Sequence, residues 1–117
     1  MNTKFNIIKP AIIQENMMSN PDLIKQFLTL YQSQIPIDFK ALKEAISQRN
    51  YKEIANKAHH IKPTMVYIGA NQQQSKLQKL EALANLKNDI EIGQLFTELD
   101  QDVKILIDEI EIYLKNL

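Results

Sequence analysis

Apolar residues along this chain recur every three or four positions, which is the spacing of an amphipathic helix, and they do not alternate with period two over any useful length. Five segments show the helical spacing: 21–35, 36–49, 51–68, 71–87 and 89–117. The connections between these segments are short, which favours antiparallel packing of neighbouring helices. The pattern therefore predicts an all-α fold, an antiparallel helical bundle without a sheet.

Local signals place the ends of these helices. Ser19 or Asn20 can cap the first helix, with Pro21 at its first helical position. Pro36 is expected to end this helix and to open the second, because the residue before a proline avoids the helical conformation. Gly69 follows the last apolar repeat of the third helix, at the position where a glycine commonly ends a helix.

Residues 1–19 precede the first strong helical pattern and are predicted to form a leader that packs on the bundle. The leader contains several apolar residues, and a short helix fits near residues 11–17. Pro10 argues against one continuous helix through the leader. No repeat or linker divides the rest of the chain, so residues 20–117 are predicted to be one bundle domain.

Composition and charge narrow the classes of function. The 14 basic and 14 acidic residues cancel, and the sequence has no basic stripe that would favour a nucleic-acid or membrane-surface partner. There is no cysteine, which excludes disulfides and thiolate metal sites. Neither a signal peptide nor an apolar run of about 20 residues is visible. The sequence therefore predicts a soluble cytoplasmic protein.

Most catalytic machinery is missing from the sequence. Two glycines cannot build a phosphate-binding loop or a dinucleotide-binding turn. The two histidines, His59 and His60, are adjacent and point about 100° apart on a helix, so they cannot chelate one metal ion together. What remains is one well-placed imidazole, and neutral imidazole is a competent nucleophile near neutral pH.

His59 lies at the rim of the apolar stripe of the third helix, whereas His60 lies nearly opposite that stripe. The stripe consists of Ile54, Ala58, Ile61, Met65 and Ile68. The residues on the same line of the helix as His59 are Ala55, Lys62, Pro63 and Val66. A histidine at this position can be held firmly by the core and still be reached from solvent.

The segment around His59 resembles the motif of histidine-containing phosphotransfer (HPt) domains. This family carries an alanine–histidine pair, then an apolar residue and a lysine, a glycine ten positions after the histidine, and a leucine–glutamate or leucine–glutamine pair on the next helix. The matching residues here are Ala58, His59, Ile61, Lys62, Gly69, Leu80 and Glu81. The resemblance covers nearly the whole chain from about residue 20, because the lead-in helices are also similar.

The resemblance implies a four-helix bundle, here with an additional short N-terminal helical segment, whose histidine carries phosphate between receiver-domain aspartates in a two-component phosphorelay. His59 would be the phosphoacceptor, and Lys62 would offset charge on the phosphoryl oxygens. Glu81 would accept a hydrogen bond from Nδ1–H of His59 and leave Nε2 free to attack.

The family also implies the kind of partner. The protein would act as a monomer on receiver domains of response regulators and hybrid histidine kinases. It would need no cofactor, metal or ATP site of its own, so it would be a phosphocarrier and not an enzyme.

One residue departs from the family pattern. The family usually has a glycine four residues after the histidine, where this chain has Pro63. A proline at this position removes the amide that would bond the carbonyl of His59, and its ring crowds that carbonyl. A kink beside His59 is therefore expected, with consequences for how a receiver docks.

A docking patch for the receiver is predicted beside His59. The apolar arc of the first helix is wider than one buried stripe needs, so Ile24 and Leu28 at its edge are expected to be partly exposed. Ala55, Pro63 and Val66 on the third helix would complete this patch.

Two other interpretations remain open. A pseudo-HPt bundle would bind a receiver or a kinase without accepting phosphate, with Pro63 as the damaging change. A purely structural helical bundle would leave the spacing of Lys62, Gly69 and Glu81 as coincidence. Acid-labile, base-stable label on His59 after incubation with a phosphorylated receiver would distinguish a carrier from both.

Overall fold

The computed structural model describes residues 4–117. All of the regular secondary structure in this range is α-helical. The helices are α1 (Pro10–Asn16), α2 (Pro21–Ser47), α3 (Tyr51–Tyr67), α4 (Asn71–Asn85) and α5 (Asp89–Lys115). The prediction of an all-α fold is confirmed. Over the same residues, none of the helices combines the length and the apolar character that a membrane crossing requires.

The four long helices pack in a closed ring. α2 contacts α3, α3 contacts α4, α4 contacts α5, and α5 contacts α2, while the short α1 lies against α3. Fully buried side chains from every helix form one core and include Ile13, Leu28, Leu42, Ile61, Leu80, Leu99 and Leu106. The molecule measures 44 × 21 × 20 Å. It is elongated because α2 and α5 have 27 residues each, which corresponds to a length of about 40 Å.

Pro36 does not end a helix, so the prediction of two separate helices over 21–35 and 36–49 is wrong. α2 runs through this proline as one helix. Pro36 lies on the exposed face, whereas Ile35 and Phe39 are buried in the core. Burial of the apolar stripe on both sides of the proline outweighs the cost of an interior proline, which is about 3 kcal/mol.

Asparagine side chains cap three of the long helices. Asn20, Asn50 and Asn88 accept hydrogen bonds from backbone N–H groups in the first turns of α2, α3 and α5, respectively. These bonds satisfy donors that the start of a helix leaves unpaired. The sequence allowed Ser19 or Asn20 as the cap of α2, and the structure selects Asn20.

Gly69 ends α3 as predicted, in the left-handed conformation with φ of +77°. Its N–H donates to the carbonyl of Val66, and the N–H of Ala70 donates to the carbonyl of Met65. This pair of bonds is the Schellman motif. A Cβ at Gly69 would lie 2.7 Å from Cβ of Lys9. Both the turn and the close passage of the leader therefore require glycine.

The leader is tied to the bundle by a buried carboxylate. Glu109 of α5 is 6% exposed and accepts hydrogen bonds of 2.9 to 3.0 Å from three successive backbone N–H groups, those of residues 6–8. The next N–H, that of Lys9, donates to the carbonyl of Ile68 just beyond α3. The leader thus joins the last part of α5 to the end of α3.

Candidate functional site

α3 presents His59 to solvent from a firmly packed helix. Ala58 and Ile61 beside it are buried, whereas the His59 side chain is 75% exposed. Lys62 follows one turn later, and its side chain is only 19% exposed. His59 therefore combines a fixed backbone with a side chain that a partner can reach.

α4 brings Glu81 against these two residues of α3. Oε1 of Glu81 lies 2.8 Å from Nζ of Lys62 and 3.5 Å from Nδ1 of His59. The three side chains that the sequence singled out for chemistry therefore form one cluster, although they come from two different helices.

Oε1 of Glu81 contacts both neighbours without a hydrogen bond to either. This oxygen is closed off from solvent and has no hydrogen-bond donor among the described residues. Nζ of Lys62 is at ion-pair distance but lacks the angle of a hydrogen bond, and 3.5 Å to Nδ1 of His59 exceeds the usual N–H···O range. The hydrogen bond expected between His59 and Glu81 is therefore not formed in this structure, although the two groups face each other.

This contact decides which ring nitrogen of His59 faces the protein. Nδ1 faces Glu81, so Nε2 lies on the other side of a ring that is mostly exposed. A carboxylate beside Nδ1 favours the tautomer with its proton on that nitrogen, which leaves the lone pair on Nε2. The arrangement can therefore offer a nucleophilic nitrogen to an electrophile that approaches from solvent.

A shallow groove runs beside His59. Its lining residues are His59, Lys62, Pro63, Val66, Tyr67 and Gln74. The sequence reasoning missed Tyr67 and Gln74. Spacing could have indicated Gln74, because it precedes Glu81 by two turns on α4 and shares its face. Since Val66 and Tyr67 are exposed, the groove offers apolar surface next to the histidine.

Polar contacts to α5 hold α4 in position behind this groove. Nζ of Lys76 on α4 lies 2.7 Å from Oδ2 of Asp102, and Nε2 of the buried Gln73 donates to the same oxygen. The hydrogen bond to Asp102 raises the pKa of Lys76, whereas burial acts in the opposite direction. α4 is thus attached to α5 on one side while Glu81 meets α3 on another.

Ile24 and Leu28 are fully buried, so the prediction that they are partly exposed is wrong. Each has 0% of its surface exposed. The reason is the place of α2 in the ring, where it contacts both α3 and α5 and therefore buries a wider apolar arc than one stripe. Exposed apolar side chains of α2 include Phe27 and Leu30 instead.

The remaining residues of the predicted docking patch are accessible. Pro63 and Val66 are exposed, and Ala55 is half-buried. α3 continues through Pro63 to its end at Tyr67, so the kink expected at the proline does not interrupt the helix. Because proline has no N–H, the carbonyl of His59 has no donor from the next turn of the helix.

An apolar cleft adjoins the groove at Tyr67. It is lined by Asn16, Met17, Leu23, Phe27, Tyr31 and Tyr67. Burial, and to a smaller degree electrostatic repulsion between its phenolate and that of Tyr67, raises the pKa of Tyr31. Nδ2 of Asn16 donates to the backbone carbonyl of Tyr67. The last residue of α1 thus reaches Tyr67 at the end of α3, which the sequence did not indicate.

His60 faces a different groove, between α2 and α3, together with Asp38, Glu53 and Lys57. Its side chain is exposed. In the part of the chain from residue 4 onward, no group of three or more histidine and acidic side chains is arranged to hold a metal ion. The two histidines therefore belong to separate surfaces.

Comparison of this chain with protein-family models, with curated proteins and with solved structures found no match. A functional assignment therefore depends on the geometry of the site and on the motif residues around His59.

Proposed function

We propose that this protein is a phosphorelay carrier. It accepts a phosphoryl group on His59 from the aspartyl phosphate of a receiver domain and passes it to the aspartate of another receiver. The resemblance of the His59 segment to HPt domains supports this proposal, together with the spacing of Lys62, Gly69 and Glu81.

The observation that carries the proposal is the cluster of His59, Lys62 and Glu81. A histidine with a purely structural role usually has its ring nitrogens hydrogen-bonded within the protein. His59 is mostly exposed, and within residues 4–117 its ring faces Glu81 at 3.5 Å and makes no hydrogen bond. An exposed imidazole with a carboxylate at Nδ1 and an ammonium one turn away suits a nucleophile that receives an anionic group.

The transfer step uses the lone pair of Nε2. This nitrogen attacks the phosphorus of the aspartyl phosphate, the N–P bond forms, and the P–O bond to the aspartate breaks. The electron pair of that bond leaves with the receiver's carboxylate, while the proton of the imidazole stays on Nδ1. The activated phosphate and its magnesium ion come from the receiver, and the return step is the reverse of this one.

The proposal also specifies the architecture. α2, α3, α4 and α5 are taken as an antiparallel four-helix bundle of the HPt kind, with the N-terminal leader as an accessory segment, and the ring of helix contacts supports this. One chain supplies all three side chains of the cluster, so a monomer is sufficient. The proposed partners place the protein in the cytoplasm, as the family resemblance implies.

Two phosphate donors test the proposal. The protein is incubated with radiolabelled phospho-receivers from its source cell and, separately, with phosphoramidate, a small-molecule donor to histidine. With either donor we expect an acid-labile, base-stable phosphoryl group that peptide mapping places on His59. A folded protein that takes no label at His59 from either donor is not a phosphocarrier.

Pro63 supports a second candidate function, that of a pseudo-HPt bundle. Its ring lines the groove directly beside His59, where a receiver would place its active site. Such a protein would bind a receiver or a kinase without accepting phosphate. A measured complex with a receiver, combined with an unlabelled His59, would select this candidate over the carrier.

A further inference from the structure

One oxygen atom of Glu81 lies against both His59 and Lys62. Oε1 of Glu81 is closed off from solvent and lies between Nζ of Lys62 and Nδ1 of His59, at 2.8 and 3.5 Å. The side chains of Lys62 and Glu81 are only 19% and 23% exposed, so salt and water screen their attraction less than that of a surface pair. In the unphosphorylated state, the ammonium of Lys62 is therefore already engaged by a carboxylate.

A phosphoryl group on Nε2 of His59 changes this charge balance. It brings up to two negative charges into the groove. Among the side chains that line the groove, Lys62 is the one ammonium, and Tyr67 and Gln74 offer polar groups but no cation. The phosphoryl oxygens and Glu81 therefore compete for the same cation.

We propose, on the basis of the function proposed above, that Glu81 shortens the lifetime of the phosphoryl group by holding Lys62 away from it. Glu81 is then a positioning residue that acts through Lys62. Contact with an ammonium stabilises phosphohistidine more than the loose transition state for its loss, in which the phosphoryl oxygens carry less charge. A carboxylate that withholds Lys62 keeps the phosphoryl group labile and ready for transfer.

Hydrolysis measures this lability without a partner protein. The oxygen of water bonds to phosphorus while the bond from Nε2 to phosphorus breaks, and the electron pair of that bond returns to Nε2 of His59. The products are neutral imidazole, with its proton on Nδ1, and dihydrogen phosphate, so that atoms and charge balance.

The test follows the decay of phosphohistidine in the full chain. The protein is phosphorylated on His59 with phosphoramidate, separated from the donor and followed by phosphorus NMR and intact mass. Glu81→Gln is expected to lengthen the half-life by about twofold to fivefold, the range that partly exposed ion pairs usually account for. Lys62→Gln is expected to shorten it only slightly, because Glu81 already withholds most of this cation in the wild type.

The double variant decides whether Glu81 acts through Lys62. In a Lys62→Gln background, Glu81→Gln should change the half-life little, because no ammonium is left to compete for. Glu98→Gln is the matched control. It removes a carboxylate that pairs with Lys76 between α4 and α5 at 3.6 Å, away from the groove, and should leave the half-life unchanged.

The possible outcomes separate this inference from the function on which it depends. An unchanged half-life in folded Glu81→Gln overturns the inference, and so does a lengthening of equal size with and without Lys62, because Glu81 would then act directly. Wild-type protein that takes no phosphate on His59 overturns the proposed function and this inference together. Circular dichroism confirms the helix content of each variant.

Discussion

Glu109 of α5 and Ile8 of the leader are joined by a hydrogen bond in which the backbone N–H of Ile8 donates to Oε1 at 3.0 Å. The same carboxylate accepts from the N–H groups of Asn6 and Ile7. A buried backbone donor without a partner is costly, and this segment has no helix or sheet to satisfy its donors. One side chain therefore allows an irregular stretch to lie on the bundle.

Glu109→Gln is predicted to destabilise the protein by about 1 to 3 kcal/mol, the cost of leaving a buried donor unpaired. Glutamine offers one acceptor oxygen, and its NH₂ group would face backbone N–H groups that also donate. Urea denaturation followed by circular dichroism measures the change. The control is Glu111→Gln on the same helix, where the side chain is exposed and the expected change is within about 0.5 kcal/mol. Equal stability of the two variants would contradict this account.

Gly69→Ala is predicted to destabilise the protein by about 1 to 3 kcal/mol, the usual cost of a strained backbone position. The new Cβ would occupy a residue with φ of +77° and would lie 2.7 Å from Cβ of Lys9. Gly93→Ala is the opposite case, because Gly93 lies inside α5 and its Cβ would meet nothing within 4 Å. The free energy of unfolding of that variant should rise by up to about 1 kcal/mol.

Thermal denaturation of the two alanine variants checks this pair of predictions. The midpoint should fall for Gly69→Ala and rise for Gly93→Ala. A Gly69→Ala variant as stable as the wild type would mean that the leader can move away from the end of α3 at little cost.

His59→Gln is predicted to abolish phosphate uptake, whereas His60→Gln should retain it. Glutamine keeps a polar side chain that a helix tolerates, but it offers no nucleophilic nitrogen. His60 is exposed and lines a different groove, so its replacement should change stability by no more than about 0.5 kcal/mol.

Label transfer from a phosphorylated receiver measures both histidine variants, with circular dichroism as the check of folding. Label that persists in His59→Gln, or that disappears in a folded His60→Gln, would show that the wrong histidine or the wrong function has been assigned.

Pro63→Gly is predicted to leave phosphate transfer at least as fast as in the wild type. Glycine restores an N–H that can bond the carbonyl of His59, and it removes an exposed ring from the groove. Stability can change in either direction, since a proline inside a helix costs about 3 kcal/mol while glycine raises the entropy of the unfolded chain. A time course of phosphoryl transfer, with samples quenched at successive times, gives the rate. A folded variant that loses transfer would show that the proline is required.

Local sequence rules account for much of the fold. Periodicity predicted an all-α chain, and the capping residues Asn20 and Asn50, together with Gly69, mark where helices start and end. These features depend on neighbouring residues within one or two turns, so they are visible in the sequence. The same is true of the spacing of His59 and Lys62, because residues three apart on a helix share a face.

Only the tertiary structure decided the features that depend on two segments at once. Pro36 lies inside a helix because core burial on both sides of it outweighs its local preference. Ile24 and Leu28 are buried because α2 has two neighbours in the ring. The shared oxygen of Glu81 and the hydrogen bonds of Glu109 to the leader depend on distances between separate segments of the chain, and no local pattern encodes those distances.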